Sequence, residues 1–298
     1  MKELDIKLGY NCNNNCLFCL NKDKRGFGYA TEELKKQIEI SANNGCKKLI
    51  ISGGEPLIYN NFFEIVKFAR ERGIPNYQIQ TNGRMLFYGE MVERIKRICP
   101  NVDFLVSFHY PNAEMYKKYS QVDGFNQVLE GLKNLQKHSL KFTTNTVLFK
   151  ENIKFLNEIL STLSKVDCKY SQFRFIDGHN VGDDFFDFVP RMEEAVSEIK
   201  KVIFNYPELK IYIHEIPACV LGRDLEDYIT SMPNIERENF NLKKEVLTSP
   251  EIVRQQFIYP NCDGCMNKMR CLGVRKSYLK FFDKKEFNPI ISKLENYD

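Results

Sequence analysis

The sequence predicts an α/β protein built on a parallel sheet, and three observations carry that expectation. Short apolar strands alternate six times with amphipathic helices over residues 4–203, the pattern of consecutive strand–helix units. Polar, turn-forming segments stand at the C-terminal ends of these strands, where parallel α/β folds collect ligands. Past Tyr206-Pro207 the regularity stops, and a second group of cysteines, Cys262, Cys265 and Cys271, follows. Six units are too few for a closed eight-unit barrel. Residues 1–206 are therefore expected to form an open α/β domain, and residues 207–298 a small cysteine-rich unit held by metal.

Leu4 to Leu8 alternates apolar and polar residues and reads as a first strand. A polar loop with Cys12, Cys16 and Cys19 runs to about Tyr29. Thr31-Glu32-Glu33 supplies a cap and an acidic first turn for a helix ending near Asn43-Asn44-Gly45. Lys48 to Ser52 is a compact strand leading into Gly53-Gly54-Glu55-Pro56, and Phe62 to Arg72 is the second helix. Tyr77 to Gln80 is a third strand, followed by Thr81-Asn82-Gly83 and a helix over Met91 to Ile98. Asp103 to Ser107 is the fourth strand. Phe125, Val128, Leu132 and Leu135 recur at helical spacing. Phe142 to Leu148 is a β-branched fifth strand. Ile153 to Leu163 is helical, Tyr170 to Ile176 is the sixth strand, and Pro190 opens a helix through Ile203. Residues 222–258 show no clear strand pattern.

The 298 residues carry 43 basic against 39 acidic side chains, a net charge of +4. That balance gives no reason to expect nucleic acid or a membrane surface as partner. Met1 to Ile6 carries charges where a signal peptide needs an apolar run, and no stretch reaches membrane-spanning length. Ten cysteines in such a chain read as metal ligands or reduced thiols, so a cytoplasmic, oxygen-sensitive protein is expected.

Cys12, Cys16 and Cys19 have the spacing C-x3-C-x2-C. A disulfide framework needs an even set and tetrahedral zinc needs four ligands. Three thiolates suit an iron–sulfur cube with one iron open, and the alternative is incidental buried thiols. The stretch closely resembles the cluster-binding motif of the radical S-adenosylmethionine (SAM) enzymes, with Phe18 in the aromatic place before the last cysteine. The resemblance extends to Gly53-Gly54-Glu55-Pro56, where the family's exposed backbone and acid receive the SAM ammonium group. It extends also to Thr81-Asn82-Gly83, near the SAM ribose. Either segment alone is a turn signal. By the same resemblance Ser107 and Asn145 match contacts to the SAM carboxylate or ribose. Arg174 would pair with a carboxylate of SAM or substrate, or with an acid in the barrel.

The resemblance, over residues 1 to about 205, implies a partial (βα)6 TIM-type barrel. It also implies a 4Fe–4S cluster that splits SAM to a 5′-deoxyadenosyl radical, which takes a hydrogen atom from the substrate. A one-electron donor such as flavodoxin or ferredoxin would serve it. Cys262, Cys265 and Cys271, followed by Gly273 and Tyr278, look like the cysteine motif of SPASM or twitch extensions. Cys219 is the candidate fourth ligand of a second 4Fe–4S cluster, with a buried thiol or a hydrogen-atom donor as its alternatives. Four thiolates equally suit a structural zinc. Cys46, Cys99 and Cys168 read as ordinary buried thiols. His109 faces the active-site end, with a bland structural role as the alternative to a substrate contact. Asp177, His179, Asp183 and Asp184 are expected to border the substrate mouth, or to form a solvated acidic loop, and Phe185 to Phe188 to form a lid or a peptide-binding face. The expected reaction is peptide modification by crosslinking, epimerisation or oxidation. The lack of a leader-binding extension before Cys12 keeps a small-molecule dehydrogenase or cofactor-biosynthesis enzyme as the alternative. A non-enzymatic redox sensor is the distant one.

Overall fold

In a computed structural model, residues 2–176, 187–228, 236–241, 244–248, 257–258, 262–268, 271 and 273–291 are described. The sheet is assembled in order along the chain. The parallel strands are β1 (Lys2–Lys7), β2 (Lys48–Ser52), β3 (Asn76–Thr81), β4 (Val102–Ser107), β5 (Lys141–Leu148), β6 (Tyr170–Phe175) and β7 (Lys210–His214). Each pairs with its predecessor, as in Ile79 beside Phe104 and Phe173 beside Thr146. The result is the open partial α/β barrel. A seventh strand therefore lies beyond residue 206, and the sheet does not end there.

Between the strands run α1 (Thr31–Asn43), α2 (Phe62–Glu71), α3 (Gly89–Ile98), α4 (Ala113–Ser120), α5 (Phe125–Lys137), α6 (Leu156–Lys165) and α7 (Met192–Val202). Their apolar stripes face the sheet: Phe62, Ile65, Val66 and Ala69 from α2, and Leu156, Ile159, Leu160 and Leu163 from α6. Each buried aliphatic side chain contributes about 1.5–3 kcal/mol. Thr31 is the first helical residue of α1 and not its cap, which is Ala30. The Thr31 hydroxyl instead meets Tyr59 and Asn61. Helix α4 was not anticipated; Asn112 caps it through the Met115 amide at 2.9 Å.

Period-two alternation sorts the strands' two faces. Tyr77, Ile79, Phe104, Val106, Phe173, Ile211 and Ile213 are buried beneath the helices. Residues of opposite parity, among them Gln80, Ser107, Asn145 and Arg174, face a cavity on the inner side. The apolar alternation thus packs the barrel wall while the polar alternation supplies a site.

After β7 come α8 (Ala218–Leu221) and the antiparallel pair β8 (Glu236–Asn241) and β9 (Lys244–Thr248). β8 runs parallel to β1 and covers its outer edge, Lys2 beside Glu236. These strands fall in the stretch expected to lack them. β10 (Phe257–Ile258) and β11 (Val274–Arg275) pair near the last cysteines. Tyr278 ties this region to α7: its hydroxyl accepts the Met192 amide at 3.0 Å and meets Glu286, which also accepts the Glu193 amide at 3.0 Å. Among the described residues no helix is long and apolar enough to cross a membrane.

Candidate functional site

The cysteine loop follows β1 and is fixed by its own asparagines. Asn11 Oδ1 accepts the Gly26 amide at 3.0 Å, Asn14 Nδ2 donates to Tyr116 Oη at 2.9 Å, and Asn15 Nδ2 donates to Gln121. Arg84 donates to the Asn13 carbonyl and to Asn14 Oδ1, and Arg25 donates to the Asn14 carbonyl. Backbone bonds from Asn15 and Leu17 to the end of α4 close the frame. This explains the Asn-rich composition: amides supply both donors and acceptors where a loop has no ladder.

Cys12, Cys16 and Cys19 line a cavity of about 440 Å³ together with Phe18, Gly53, Gly54, Thr81, Asn82, Ser107, Asn145 and Arg174. The structure therefore brings together the residues singled out on six different strands and turns. It does not bring Glu55 with them. Glu55 is 2% exposed, and its carboxylate accepts the Leu57 amide at 3.1 Å, the Thr81 hydroxyl at 2.7 Å and the Asn82 amide at 2.7 Å. Burial pushes this carboxyl up to about 7, against the pull of those bonds and of Arg84. The expected acid for an ammonium group is turned inward, where it joins the turn after β2 to the turn after β3.

The two glycines line the cavity and have a steric reason of their own as well. A Cβ on Gly53 would lie 2.2 Å from the Gly9 carbonyl, and one on Gly54 would lie 2.2 Å from the Asn11 carbonyl. They admit the cysteine loop itself, which the Gly54 and Glu55 amides then bond at 2.9 and 2.8 Å. Asn82 reaches the same loop, donating to Asn13 Oδ1 at 2.6 Å and approaching Cys12 Sγ at 3.7 Å. Thr81 and Asn82 line the cavity, but their hydrogen bonds hold its frame.

The remaining wall combines His109, Asn145 and Arg174, singled out in the sequence, with Glu215 and Arg275, which were not. His109 Nδ1 accepts the Val147 amide at 3.1 Å, and burial lowers this imidazole to about 4, so it is neutral. Its ring meets Phe18 edge-on at 5.4 Å. Asn145 accepts from Gln172 at 2.7 Å. Arg174 Nη1 donates at 3.0 Å to Glu215, which also receives Arg275. Asp177, His179, Asp183, Asp184, Phe185 and Phe186 lie outside the described residues.

The donor set fits an iron–sulfur cluster by its chemistry. Burial pushes Cys16 up to about 12, helped by the neighbouring Cys12 and Cys19; Cys12 is also raised. Three clustered thiols cannot all ionise without a cationic centre between them. The 3% exposed Tyr110 hydroxyl faces the Cys16 thiol and has no nitrogen or oxygen partner among the described residues. Buried hydroxyls are normally bonded, so this one is left to the Cys16 sulfur and what that sulfur holds.

In the C-terminal region Cys219, Cys262, Cys265 and Cys271 line one small pocket with Asn267, Gly273 and Phe287. Burial and the three other thiols push Cys219 up to about 11. The distant Cys219 thus joins the set. Cys46, Cys99 and Cys168 are buried in the core, and no disulfide joins any of the ten cysteines.

Comparison with known proteins places these features in context. Residues 6–163 match the Radical SAM superfamily. A protein of Methanocaldococcus jannaschii named probable GTP 3′,8-cyclase is 26% identical over 286 residues, 94% of this chain and 84% of the relative. One of the same name from Sulfurisphaera tokodaii is 25% identical over 207 residues; that match spans 67% of this chain and 64% of the relative's length. Among solved structures, SuiB of Streptococcus suis bound to S-adenosylmethionine superposes with a TM-score of 0.66 at 14% identity, over 97% of this chain and 76% of that one. The protein anSMEcpe with bound AdoMet and the Kp18Cys peptide gives 0.60 at 17% identity, over 69% and 60%. These two likenesses concern the fold.

Proposed function

The chain belongs to the radical SAM superfamily, whose members use a 4Fe–4S cluster and SAM, and we propose that its inner cavity is where SAM is held and reductively cleaved. The observation that carries this is the convergence of the cysteine trio with Gly53, Gly54, Thr81, Asn82, Ser107, Asn145 and Arg174 on one space. Cys12, Cys16 and Cys19 would hold the cluster. When bound and reduced, the cluster supplies the electron that splits SAM into methionine and a 5′-deoxyadenosyl radical, which takes hydrogen from substrate.

The chain's own residues hold and shield. Gly53 and Gly54 bring the β2 turn against the cysteine loop, fixing the cysteines relative to the cavity wall. Ser107, Asn145 and Gln80 offer neutral hydrogen-bonding groups to a polar ligand, without a charge that would bias its protonation. Neutral His109 and the aromatic rings of Phe18 and Tyr110 form a wall that keeps water from a reactive centre.

In the same reading, Cys219, Cys262, Cys265 and Cys271 would hold a second 4Fe–4S cluster within a C-terminal auxiliary unit of the SPASM or twitch kind. About eight irons per chain after anaerobic reconstitution support two clusters. About four irons with one zinc demote the second site to a structural zinc.

Two substrate readings each have an observation behind them. The relatives named GTP 3′,8-cyclase, one aligned over nearly the whole chain, favour a small molecule of cofactor biosynthesis. The fold shared with SuiB, another structure of which is described as bound to precursor peptide SuiA, favours peptide modification. The test is an anaerobic assay with dithionite as one-electron donor, following 5′-deoxyadenosine. Its formation by the wild type and its loss in Cys16→Ala are expected; metal bound without SAM cleavage would sink the enzymatic reading of this cavity. GTP consumed in step with 5′-deoxyadenosine decides for the first substrate reading.

A further inference from the structure

We infer that the outer side of the cysteine loop, together with the last turn of α4, is the docking surface for an acidic one-electron carrier protein. The inference rests on the reading of Cys12, Cys16 and Cys19 as ligands of a reducible cluster, and it names the face through which that cluster is supplied.

The first support is charge. Residues 20–28 and 113–120 carry five cations, Lys22, Lys24, Arg25, Lys117 and Lys118, against two carboxylates, Asp23 and Glu114. Lys22, Lys117 and Lys118 are exposed, and Lys24 and Arg25 are half-buried. Among the described residues none of the five has a carboxylate partner. Lys24 Nζ donates to Asn21 Oδ1 at 3.0 Å, Arg25 donates to the Asn14 carbonyl, and the Lys118 ammonium lies 5.2 Å from the centre of the Tyr119 ring. Cations of the outer helices are matched by contrast, as Lys35 is by Glu64, Arg72 by Glu39 and Lys133 by Glu130. Unmatched like charges gathered on one face repel one another, and an acidic partner relieves that repulsion.

Position supplies the second. The cations flank Cys16. The amides of Asn15 and Leu17, on either side of it, donate to the Ser120 and Tyr119 carbonyls at 2.8 and 2.9 Å, directly after Lys117 and Lys118. Towards the other cations, the Cys19 amide donates to the Cys16 carbonyl and the Lys22 amide to the Cys19 carbonyl, each at 3.3 Å. An electron crosses protein only over a short distance, so a carrier must rest on the surface next to these thiols.

An apolar spot is the third. Phe27 is 42% exposed, its amide donates to the Lys24 carbonyl at 3.2 Å, and its ring meets Tyr29 edge-on at 5.0 Å. An apolar contact rimmed by charge is the anatomy of a protein–protein interface. A nucleic acid would bring its line of phosphates against Asp23 and Glu114, whereas a carrier needs one compact contact. In the docked pair the carrier loses one electron and the cluster gains it, with no bond made or broken.

The test is reduction of reconstituted holoprotein by an acidic flavodoxin in its hydroquinone form, followed by rapid-freeze electron paramagnetic resonance. Photoreduced 5-deazariboflavin, a small neutral donor that needs no docking face, is run beside it. Calorimetry with oxidised flavodoxin reads affinity without electron transfer, and iron content and melting temperature verify the fold. Lys22→Glu and the double variant Lys117→Glu/Lys118→Glu should each lower the flavodoxin rate by about tenfold at low salt and weaken its affinity. The wild-type rate should fall between about 50 and 300 mM salt, and the variants' rates should fall less. Deazariboflavin reduction should stay within about twofold throughout. So should flavodoxin reduction of Lys165→Glu, an exposed site before β6 at the opposite end of the strands from the cysteine loop. Unchanged flavodoxin rates in both reversed surfaces, or a wild-type rate that does not fall with salt, overturn the docking surface. Equal slowing with deazariboflavin overturns it by assigning the effect to the cluster, and equal slowing in Lys165→Glu by assigning it to net charge. Tight binding of a short single-stranded oligonucleotide, lost in the same variants, overturns it in favour of nucleic acid. Wild-type protein that forms 5′-deoxyadenosine with deazariboflavin separates each of these failures from failure of the proposed function.

Discussion

Thr81 Oγ1 donates a 2.7 Å hydrogen bond to Glu55 Oε1, so the hydroxyl ending β3 and the acid following β2 are engaged with each other behind the cavity wall. With the Asn82 and Leu57 amides on the same carboxylate, the two turns become one unit. In Glu55→Gln an amide group must face at least one of these donors. The variant should lose about 1–3 kcal/mol at pH 5.

The pH dependence of that loss has a definite sign. The fold raises the Glu55 carboxyl from 4.5 to about 7, so the native state favours the protonated form. The associated stability is fully present below the unfolded value of 4.5 and is lost as pH rises through 7, a span of roughly 3 kcal/mol at most. Gln does not titrate. Urea melts at pH 5 and pH 8 should therefore show the gap between wild type and Glu55→Gln narrowing at pH 8; a widening gap would reverse the sign.

His109 works the other way. Burial lowers it to about 4, so its contribution is present above the unfolded value of 6.5 and is lost as pH falls through 4. In His109→Phe the Val147 amide loses its acceptor, costing about 1–3 kcal/mol at pH 8. The variant should also be less sensitive to acid between 6.5 and 4. Between 4.5 and 6.5 the Glu55 and His109 slopes oppose each other, so each variant must be compared with wild type at every pH.

Gly54→Ala places a Cβ 2.2 Å from the Asn11 carbonyl and 2.6 Å from the Tyr10 backbone. Backbone cannot yield as a side-chain tip does, so the loop bearing Cys12 must shift. A loss of more than about 3 kcal/mol is expected, typical of severe overpacking. Iron analysis should show the N-terminal cysteine set binding less while the C-terminal set is unaffected.

Tyr110→Phe removes only the hydroxyl beside Cys16. With only a weak contact to the Cys16 sulfur lost, unfolding stability should change by less than about 1 kcal/mol. In reconstituted protein the midpoint potential of the N-terminal cluster should become more negative, because hydrogen bonds toward cluster sulfur favour the reduced state. Redox titration by electron paramagnetic resonance reads this directly; an unchanged potential would mean that the hydroxyl points elsewhere.

The barrel was legible because its strands announce themselves by local alternation and each helix by a local stripe. β7 carried the same signal, Ile211 and Ile213 between polar neighbours, behind the break at Tyr206-Pro207. β8 did not: Glu236 to Asn241 is almost wholly polar, and its pairing with β1 is a long-range property. The cysteine spacings and strand-end turns located the cavity. What they could not tell was direction: that Glu55 turns inward, that Gly53 and Gly54 accommodate Gly9 and Asn11, or that single arginines at 174 and 275 meet on Glu215. Those facts depend on which side chains the fold brings opposite one another.

The pairing of β1 with β8 has a consequence for biosynthesis. Strand β1 leaves the ribosome long before its outer neighbour, which is complete only when residues 236–241 emerge. At synthesis rates of ~5–20 residues per second that is a delay of roughly ten to fifty seconds, with one edge of β1 bare. A bare edge is a template for pairing with other chains. Nascent chains stalled or cleaved before residue 236 are accordingly expected to aggregate, while those that reach β9 close the edge within their own sequence.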